Sequence, residues 1–389
     1  MTALLALLAG MMLPIGSGFD ALLSEVKALP PSGRNAAVRE FLATKRLPII
    51  EGDSVLIFVW FGHADSVLVN GSLQSGWRRP EKLERVPCGG DSSLFFKRYI
   101  LPPDAALEYQ FVVDGRYGLD PGNVRTTPDG DFANSQAVMP RFRPTPWATV
   151  NAGVPHGTID TLTFAPADTG LAPRRMFVYR PRGSAPGGGY PLAIVHDGET
   201  ALRFLSLTTI GDNMIAAGEV PPFIAVFVPA VDRVAEYSGI KVRRYLNALA
   251  DELVPFLERR YGTSHDPFRR ACMGISDGGH FALLAPLLRG DVFGLCAGQS
   301  STIFPDLPDT LEQRVRQGPL PPETRIYQQV GRYDIISGKY HFPEQNRKFA
   351  TLLALTGVHH RFVESSDGHE WPAWRERVPE ILRFLFMPL

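Results

Sequence analysis

The residues best suited to chemistry lie in Gly274-Ile275-Ser276-Asp277-Gly278-Gly279, a G-x-S-x-G pattern. Arg270-Ala271-Cys272-Met273 before it reads as a short strand, and His280-Phe281-Ala282-Leu283-Leu284 after it as a helix. A sharp strand-to-helix turn lifts a serine hydroxyl clear of its sheet, and glycines keep side chains out of the crowded bend. The backbone N–H of Asp277 then falls at a helix N-terminus, where it can stabilise an oxyanion. The Asp277 carboxylate must point away from that developing charge. The alternative is a glycine-rich turn without chemistry.

A serine hydroxyl is a poor nucleophile at neutral pH and needs a base. For a serine on such a turn, the acid and then the histidine follow along the chain. His341, His359, His360 and His369 lie well downstream. His369, in Ser365-Ser366-Asp367-Gly368-His369-Glu370-Trp371, directly follows an expected strand, and the loops at strand C-termini are where parallel sheets place their ligands. It is the candidate base, and the other three are expected at helix ends or on the surface. Asp334 ends Val330-Gly331-Arg332-Tyr333-Asp334 after another expected strand and would orient the imidazole. Asp367, Asp306 and Asp309 are its rivals, Asp367 being close to His369 in sequence. A second oxyanion donor should follow an early central strand, which places Gly198 or Glu199 in Val195-His196-Asp197-Gly198-Glu199.

These side chains need elements to carry them. Residues 19–45 have helical spacing and are split at Pro30-Pro31. From Asp53 the period changes to two, giving strands at 54–60, 66–69, 95–100 and 107–113. Asn70-Gly71 and Asp114-Gly115 supply turns. Short strands at this interval predict a small β-sandwich over 50–140. Residues 141–155 are proline-rich and aperiodic, and read as a linker. Beyond them, the apolar runs 192–195 and 223–228 suit parallel strands covered on both faces. Val242, Leu246, Leu249, Leu253 and Leu257 mark a helix, stopped at Gly262. Strands are expected at 271–274, 293–297, 326–330 and 360–364, and helices at 279–289, 343–356 and 373–386. The result is an α/β domain over 156–389 with a mostly parallel sheet.

Composition narrows the chemistry. The 389 residues include 40 Lys+Arg and 40 Asp+Glu, so the formal net charge of +0 offers no basic stripe for nucleic acid. Cys88, Cys272 and Cys296 are too few and too scattered for a disulfide framework or a zinc site, so buried thiols are expected and no metal or organic cofactor is called for. The uncharged run at 3–15, followed by Gly16-Ser17-Gly18, fits an export signal over 1–18 and so a periplasmic or secreted protein. It lacks a preceding Lys or Arg; a packed N-terminal helix in a cytoplasmic protein is the alternative. The run is too short to span a bilayer comfortably, so no stable membrane insertion is expected.

Residues 155–389 resemble the esterase-D-like branch of the α/β-hydrolases, which includes enterobactin, feruloyl and acetyl-xylan esterases, S-formylglutathione hydrolases and mycolyltransferases. The likeness rests on Val154-Pro155-His156-Gly157, Phe177-Val178-Tyr179-Arg180-Pro181, His196-Asp197-Gly198-Glu199, the Ser276 turn, Gly331-Arg332-Tyr333-Asp334 and Gly368-His369-Glu370-Trp371-Pro372-Ala373-Trp374-Arg375. It implies an α/β-hydrolase fold with Ser276, Asp334 and His369 as nucleophile, acid and base. Residues 50–140 look like an early-set immunoglobulin-like module, carried by Trp77, Tyr109-Gln110-Phe111-Val112-Val113 and Asp120-Pro121-Gly122-Asn123. Trp60 and Trp77 are expected to pack rather than to bind glycans. The expected activity is hydrolysis of a carboxylic ester, carbohydrate-linked or siderophore-type, on a small-molecule or glycan substrate. The alternatives are an acyltransferase of the mycolyltransferase type and a non-catalytic glycan-binding protein. Residues 199–221, 229–241 and 299–324 are expected around the cleft. Arg233 would meet an anionic substrate group or pair with Glu236, and Trp371 is a further substrate-binding candidate.

Overall fold

The computed structural model describes residues 18–129 and 132–388. The apolar run at 3–15 and Gly16-Ser17 of the expected export signal lie outside the described residues. No helix among the described residues is long and apolar enough to cross a membrane.

The chain opens with helices α1 (Phe19–Ala28) and α2 (Pro31–Ala43). Pro30 cannot continue α1, and Pro31 starts α2 at a position where its missing N–H costs nothing. Two antiparallel sheets follow. The first orders β1 (Ile49–Glu51), β2 (Val55–Gly62), β6 (Ser93–Ile100) and β5 (Glu84–Pro87). The second orders β4 (Glu81–Lys82), β3 (Val67–Gly71), β7 (Ala106–Val113), β10 (Phe132–Val138) and β9 (Thr126–Asp129), with β8 (Arg116–Gly118) beside β7. Leu56 and Phe58 of β2 pack between the sheets against Val69, Leu107, Tyr109 and Phe111. Ile57 and Val59, on the other face, pack beneath α1 and α2 with Phe19, Leu22, Val26 and Val38. Burial on both faces explains why β2 is apolar throughout instead of alternating.

The C-terminal sheet has eight strands in the order β11 (Thr158–Phe164), β12 (Arg174–Arg180), β14 (Ile224–Val228), β13 (Leu192–His196), β15 (Arg270–Ile275), β16 (Leu295–Gln299), β17 (Arg325–Gly331) and β20 (His359–Ser365). Strands β14 through β20 in this order pair parallel, and β11 and β12 pair antiparallel at one edge. Ile194, Val226, Cys272 and Cys296 face one helical layer; Val195, Phe227 and Met273 face the other. The three cysteines are free and buried.

This is the α/β-hydrolase architecture. Its helices are α3 (Gly198–Phe204), α4 (Leu207–Ala216), α5 (Arg233–Tyr237), α6 (Val242–Ala248), α7 (Val254–Tyr261), α8 (Asp277–Leu288), α9 (Asp306–Arg316), α10 (Phe342–Ala354) and α11 (Trp371–Phe386). The helix expected from 242 contains a π turn at Leu249–Leu253, where Pro255 cannot donate to the preceding turn. A small hairpin, β18 (Ile336–Ser337) and β19 (Tyr340–His341), follows the Asp334 loop. Strand order reverses at β13, which sits between β14 and β15. The loops after β13 and β15 therefore flank the crevice where such sheets bind ligands.

Candidate active site

Ser276 occupies the turn between β15 and α8 with φ 57° and ψ −121°. Positive φ is unfavourable for a residue with a Cβ, at a cost of about 1–3 kcal/mol. The surroundings hold it there. The Ser276 N–H donates to the Gln299 carbonyl at 3.0 Å, and its own carbonyl accepts from the N–H groups of His280 and Thr302 at 3.1 Å each. A Cβ on Gly274 would lie 2.0 Å from the Gly278 carbonyl oxygen, and one on Gly279 would lie 2.5 Å from Ser301 Oγ. Only glycine lets the turn close this tightly. Asp277 begins α8, so its N–H belongs to the group that helix geometry leaves free.

The Asp277 carboxylate is drawn aside. Oδ1 accepts from Thr302 Oγ1 at 2.6 Å, and Oδ2 from Arg233 at 3.2 Å. Arg233 also grips both oxygens of Asp197, at 2.8 and 3.2 Å, and donates to the Ile275 carbonyl at 3.2 Å. The alternative pairing of Arg233 with Glu236 does not occur. Glu236 is buried and takes two hydrogen bonds from Arg174, at 2.7 and 3.0 Å. A buried carboxylate needs such a full partner, and α5 turns Arg233 to the opposite side, towards the cleft.

His369 lies in the loop between β20 and α11. Its Nδ1 is 2.7 Å from Asp334 Oδ1, and Asp334 is fully buried. The same carboxylate oxygen accepts from the Ile335 N–H at 2.7 Å, which fixes its direction. Two aromatic edges clasp the imidazole: Trp374 at 4.9 Å and 88°, and Phe342 at 5.3 Å and 82° between ring centroids. Trp374 is anchored by its own Nε1, which donates to Ser300 Oγ at 2.9 Å.

Two of the rival acids, Asp367 and Asp306, have other partners. Asp367 is buried and accepts from Ser365 Oγ at 2.7 Å, and burial pushes its carboxyl up to about 6. Asp306 stands 3.4 Å from His280 Nε2. Asp309 lies in the first turn of α9. Of the other histidines, His341 caps α10, and His359 stacks on Phe384 at the start of β20. His360 is part-buried, and burial lowers its ring to about 4. His196 at the end of β13 is buried among the rings of Tyr237, Tyr245 and Phe281. Burial lowers it to about 3, which keeps it neutral.

Ser276, His369, Arg233, Glu199, Trp371 and Trp374 line one cleft of about 510 Å³. Asp334 lies behind His369. Gly198 begins α3 with φ 45°, and a Cβ there would sit 2.6 Å from the Pro229 nitrogen. The Glu199 side chain pairs with Arg175 at 2.9 Å. Trp371 packs on Trp374 and Phe204, forming an aromatic wall. Sequence reasoning missed Phe342 and the Asp197–Arg233–Asp277 bridge. The paired tryptophans of Trp371-Pro372-Ala373-Trp374 were the available signal for the wall; the bridge joins three distant segments and had none.

Residues 172–385 match the Esterase family. The chain belongs to that family. Among curated relatives, the chain is 26% identical over 292 residues to an endo-1,4-β-xylanase/feruloyl esterase of Xylanibacter ruminicola, covering 72% of this chain and 38% of that protein. It is 30% identical over 232 residues to an iron(III) enterobactin esterase of Dickeya dadantii, covering 54% of this chain and 51% of the relative. The chain thus spans about half the length, or less, of these two relatives. Among solved structures, the ferric enterobactin esterase of Salmonella typhimurium superposes with a TM-score of 0.72 at 19% identity, over 89% of this chain and 98% of that one. At 89% coverage the superposition extends beyond the hydrolase sheet into the N-terminal sheets, so the two chains share the two-part architecture.

Proposed function

We propose that this esterase hydrolyses a carboxylic ester, carbohydrate-linked or siderophore-type, through an acyl-enzyme on Ser276. The observation that carries the reading is the 2.7 Å contact of Asp334 with His369, whose ring lines the same cleft as the strained Ser276. Ser276 Oγ attacks the ester carbonyl carbon, and its proton passes to His369 Nε2. Asp334 holds the ring and stabilises the imidazolium. The oxyanion lies against the N–H of Asp277 and a second N–H from Gly198 or Glu199. Collapse breaks the bond to the alcohol oxygen, which takes the proton from His369. Water, deprotonated by His369, then attacks the acyl carbon and releases the acid, restoring the serine hydroxyl.

Arg233 supports this chemistry from the side by drawing the Asp277 carboxylate aside, whose charge would otherwise oppose a developing oxyanion. The relatives named as feruloyl and enterobactin esterases support the two substrate classes. In this reading, residues 50–140 form an accessory module and 156–389 the catalytic domain. The test is turnover of feruloyl, acetyl-sugar and catecholate-siderophore esters by the native chain and by Ser276→Ala. The native chain should release the free acid, also when sugar alcohols are added as competing acceptors. Ser276→Ala should lose about 10⁴-fold or more in kcat with an unchanged unfolding transition. Near-native turnover in the variant, or transfer to the alcohols in place of hydrolysis, contradicts the reading.

A further inference from the structure

Both loops that present His369 and Asp334 lean on the N-terminal sheets. Ser72, just after β3, meets the Glu370 carboxyl through its hydroxyl. Glu370 is the residue after His369 and is buried. A Cβ on Gly368, the residue before His369, would lie 2.7 Å from Glu370 Oε1 and 2.9 Å from the Ser72 Cβ. The base loop is therefore pinched between a hydrolase carboxyl and a serine from the other sheet system. The N–H of Ala106 at the start of β7 donates to the Ser366 carbonyl at 3.3 Å. On the acid side, Tyr333 packs against the core between the two N-terminal sheets, and Gly76 abuts Ile335.

We infer that Ser72 and Glu370 are positioning residues for the proposed base: together they clamp the loop 366–369 and so hold the His369 ring on Asp334. The inference rests on the serine mechanism proposed above.

Ser72 Oγ accepts from the Glu108 N–H at 2.9 Å and lies 3.1 Å from the Glu108 carbonyl, in addition to its contact with Glu370. One hydroxyl has one proton. The Glu108 carbonyl already accepts the Ser72 N–H at 3.0 Å, so that proton serves the Glu370 carboxyl. The Glu108 carboxylate is committed as an acceptor, to Thr127 Oγ1 and, at 2.9 Å, to Asn134 Nδ2. It faces Glu370 as a like charge.

The remaining charged groups around Glu370 are Asp367 and Asp334 in the two loops. Across a cavity of about 370 Å³ lie Arg125, Arg143, Arg375 and Glu376. Burial first, and then Glu108, hold the Glu370 carboxyl well above the usual carboxylate range, against the lowering effect of the Ser72 hydroxyl. A carboxyl whose folded pKa exceeds its unfolded value stabilises the fold fully below the unfolded value, about 4.3. That stability is lost as pH rises through the folded value. An ionised Glu370 in this buried site therefore destabilises the fold around the clamp on the alkaline side.

The experiment uses the full chain and the variants Ser72→Ala, Glu370→Ala and Glu370→Gln. It measures kcat and KM for a hydrolysed ester and the thermal unfolding midpoint across pH 5–9. Ser72→Ala and Glu370→Ala should lower kcat about 10- to 100-fold, as expected of a displaced catalytic group, with KM nearly unchanged. Glu370→Gln keeps an acceptor for the Ser72 hydroxyl without a titratable proton. It should restore kcat and should hold its unfolding midpoint at alkaline pH, where the native midpoint falls. Native kcat in Ser72→Ala, or Glu370→Gln as impaired as Glu370→Ala, overturns the inference. The unfolding profiles of native chain and Glu370→Gln need no ester and no soluble Glu370→Ala. They therefore read the clamp even where the proposed ester chemistry fails, and parallel pH profiles for the two overturn it.

Discussion

Ser276 and His369 line one cleft but are held by different parts of the molecule. The serine turn is fixed wholly within the hydrolase sheet, by backbone bonds to Gln299, His280 and Thr302 and by glycines with no room for a Cβ. The histidine loop is fixed on one side by its own sheet, through Asp334, Phe342 and Trp374, and on the other by Ser72 and Ala106 of the N-terminal sheets. The difference has a physical lesson. A strained turn can be locked by local close packing, whereas a flexible loop beyond a strand end needs a second surface. In this chain the second surface belongs to the other sheet system, and on the proposed mechanism the docking of the β-sandwich is coupled to the alignment of His369.

Glycine substitutions separate the two kinds of support. Gly274→Ala forces a methyl onto backbone, which cannot step aside, and should cost about 3 kcal/mol or more, read as a collapse of soluble, folded protein in denaturant titration. Asp334→Asn should leave the fold intact and lower kcat about 10³- to 10⁴-fold by fixing the wrong imidazole tautomer. A drop of less than tenfold would move the acid to another residue. Gly368→Ala meets side-chain atoms, the Glu370 carboxyl and the Ser72 Cβ, rather than backbone. It should cost only about 1 kcal/mol of stability while lowering kcat about tenfold, measured by thermal unfolding beside steady-state kinetics. Equal stability losses at Gly274 and Gly368 would erase the contrast between the two loops.

The sequence exposed the serine side better than the histidine side for the same reason. Strand, bend and helix around Ser276 are contiguous, and their requirements appear as adjacent residue types. The expected strands at 271–274, 326–330 and 360–364 fall within β15, β17 and β20; β15 is buried throughout and reads as an apolar run. Helices α3 and α4 were not resolved from the connection 199–221, since α3 has only seven residues and begins on a glycine of positive φ. Strands β9 and β10 were also missed. Asn134 and Ser135 of β10 are buried polar residues that bond to Glu108 and to the Asp120 N–H, so they break the apolar alternation that marks a strand. The clamp itself joins residues 298 positions apart, and nothing local distinguishes Ser72 from any serine in a turn.

The central claim is that Ser276 is the activated nucleophile. Reaction of the native chain with a fluorophosphonate, followed by peptide mapping, tests it most directly. The account predicts a single adduct on the peptide carrying Ser276, lost in Ser276→Ala and strongly slowed in His369→Ala. An adduct on any other residue, or none on folded protein that still turns over ester, would contradict it.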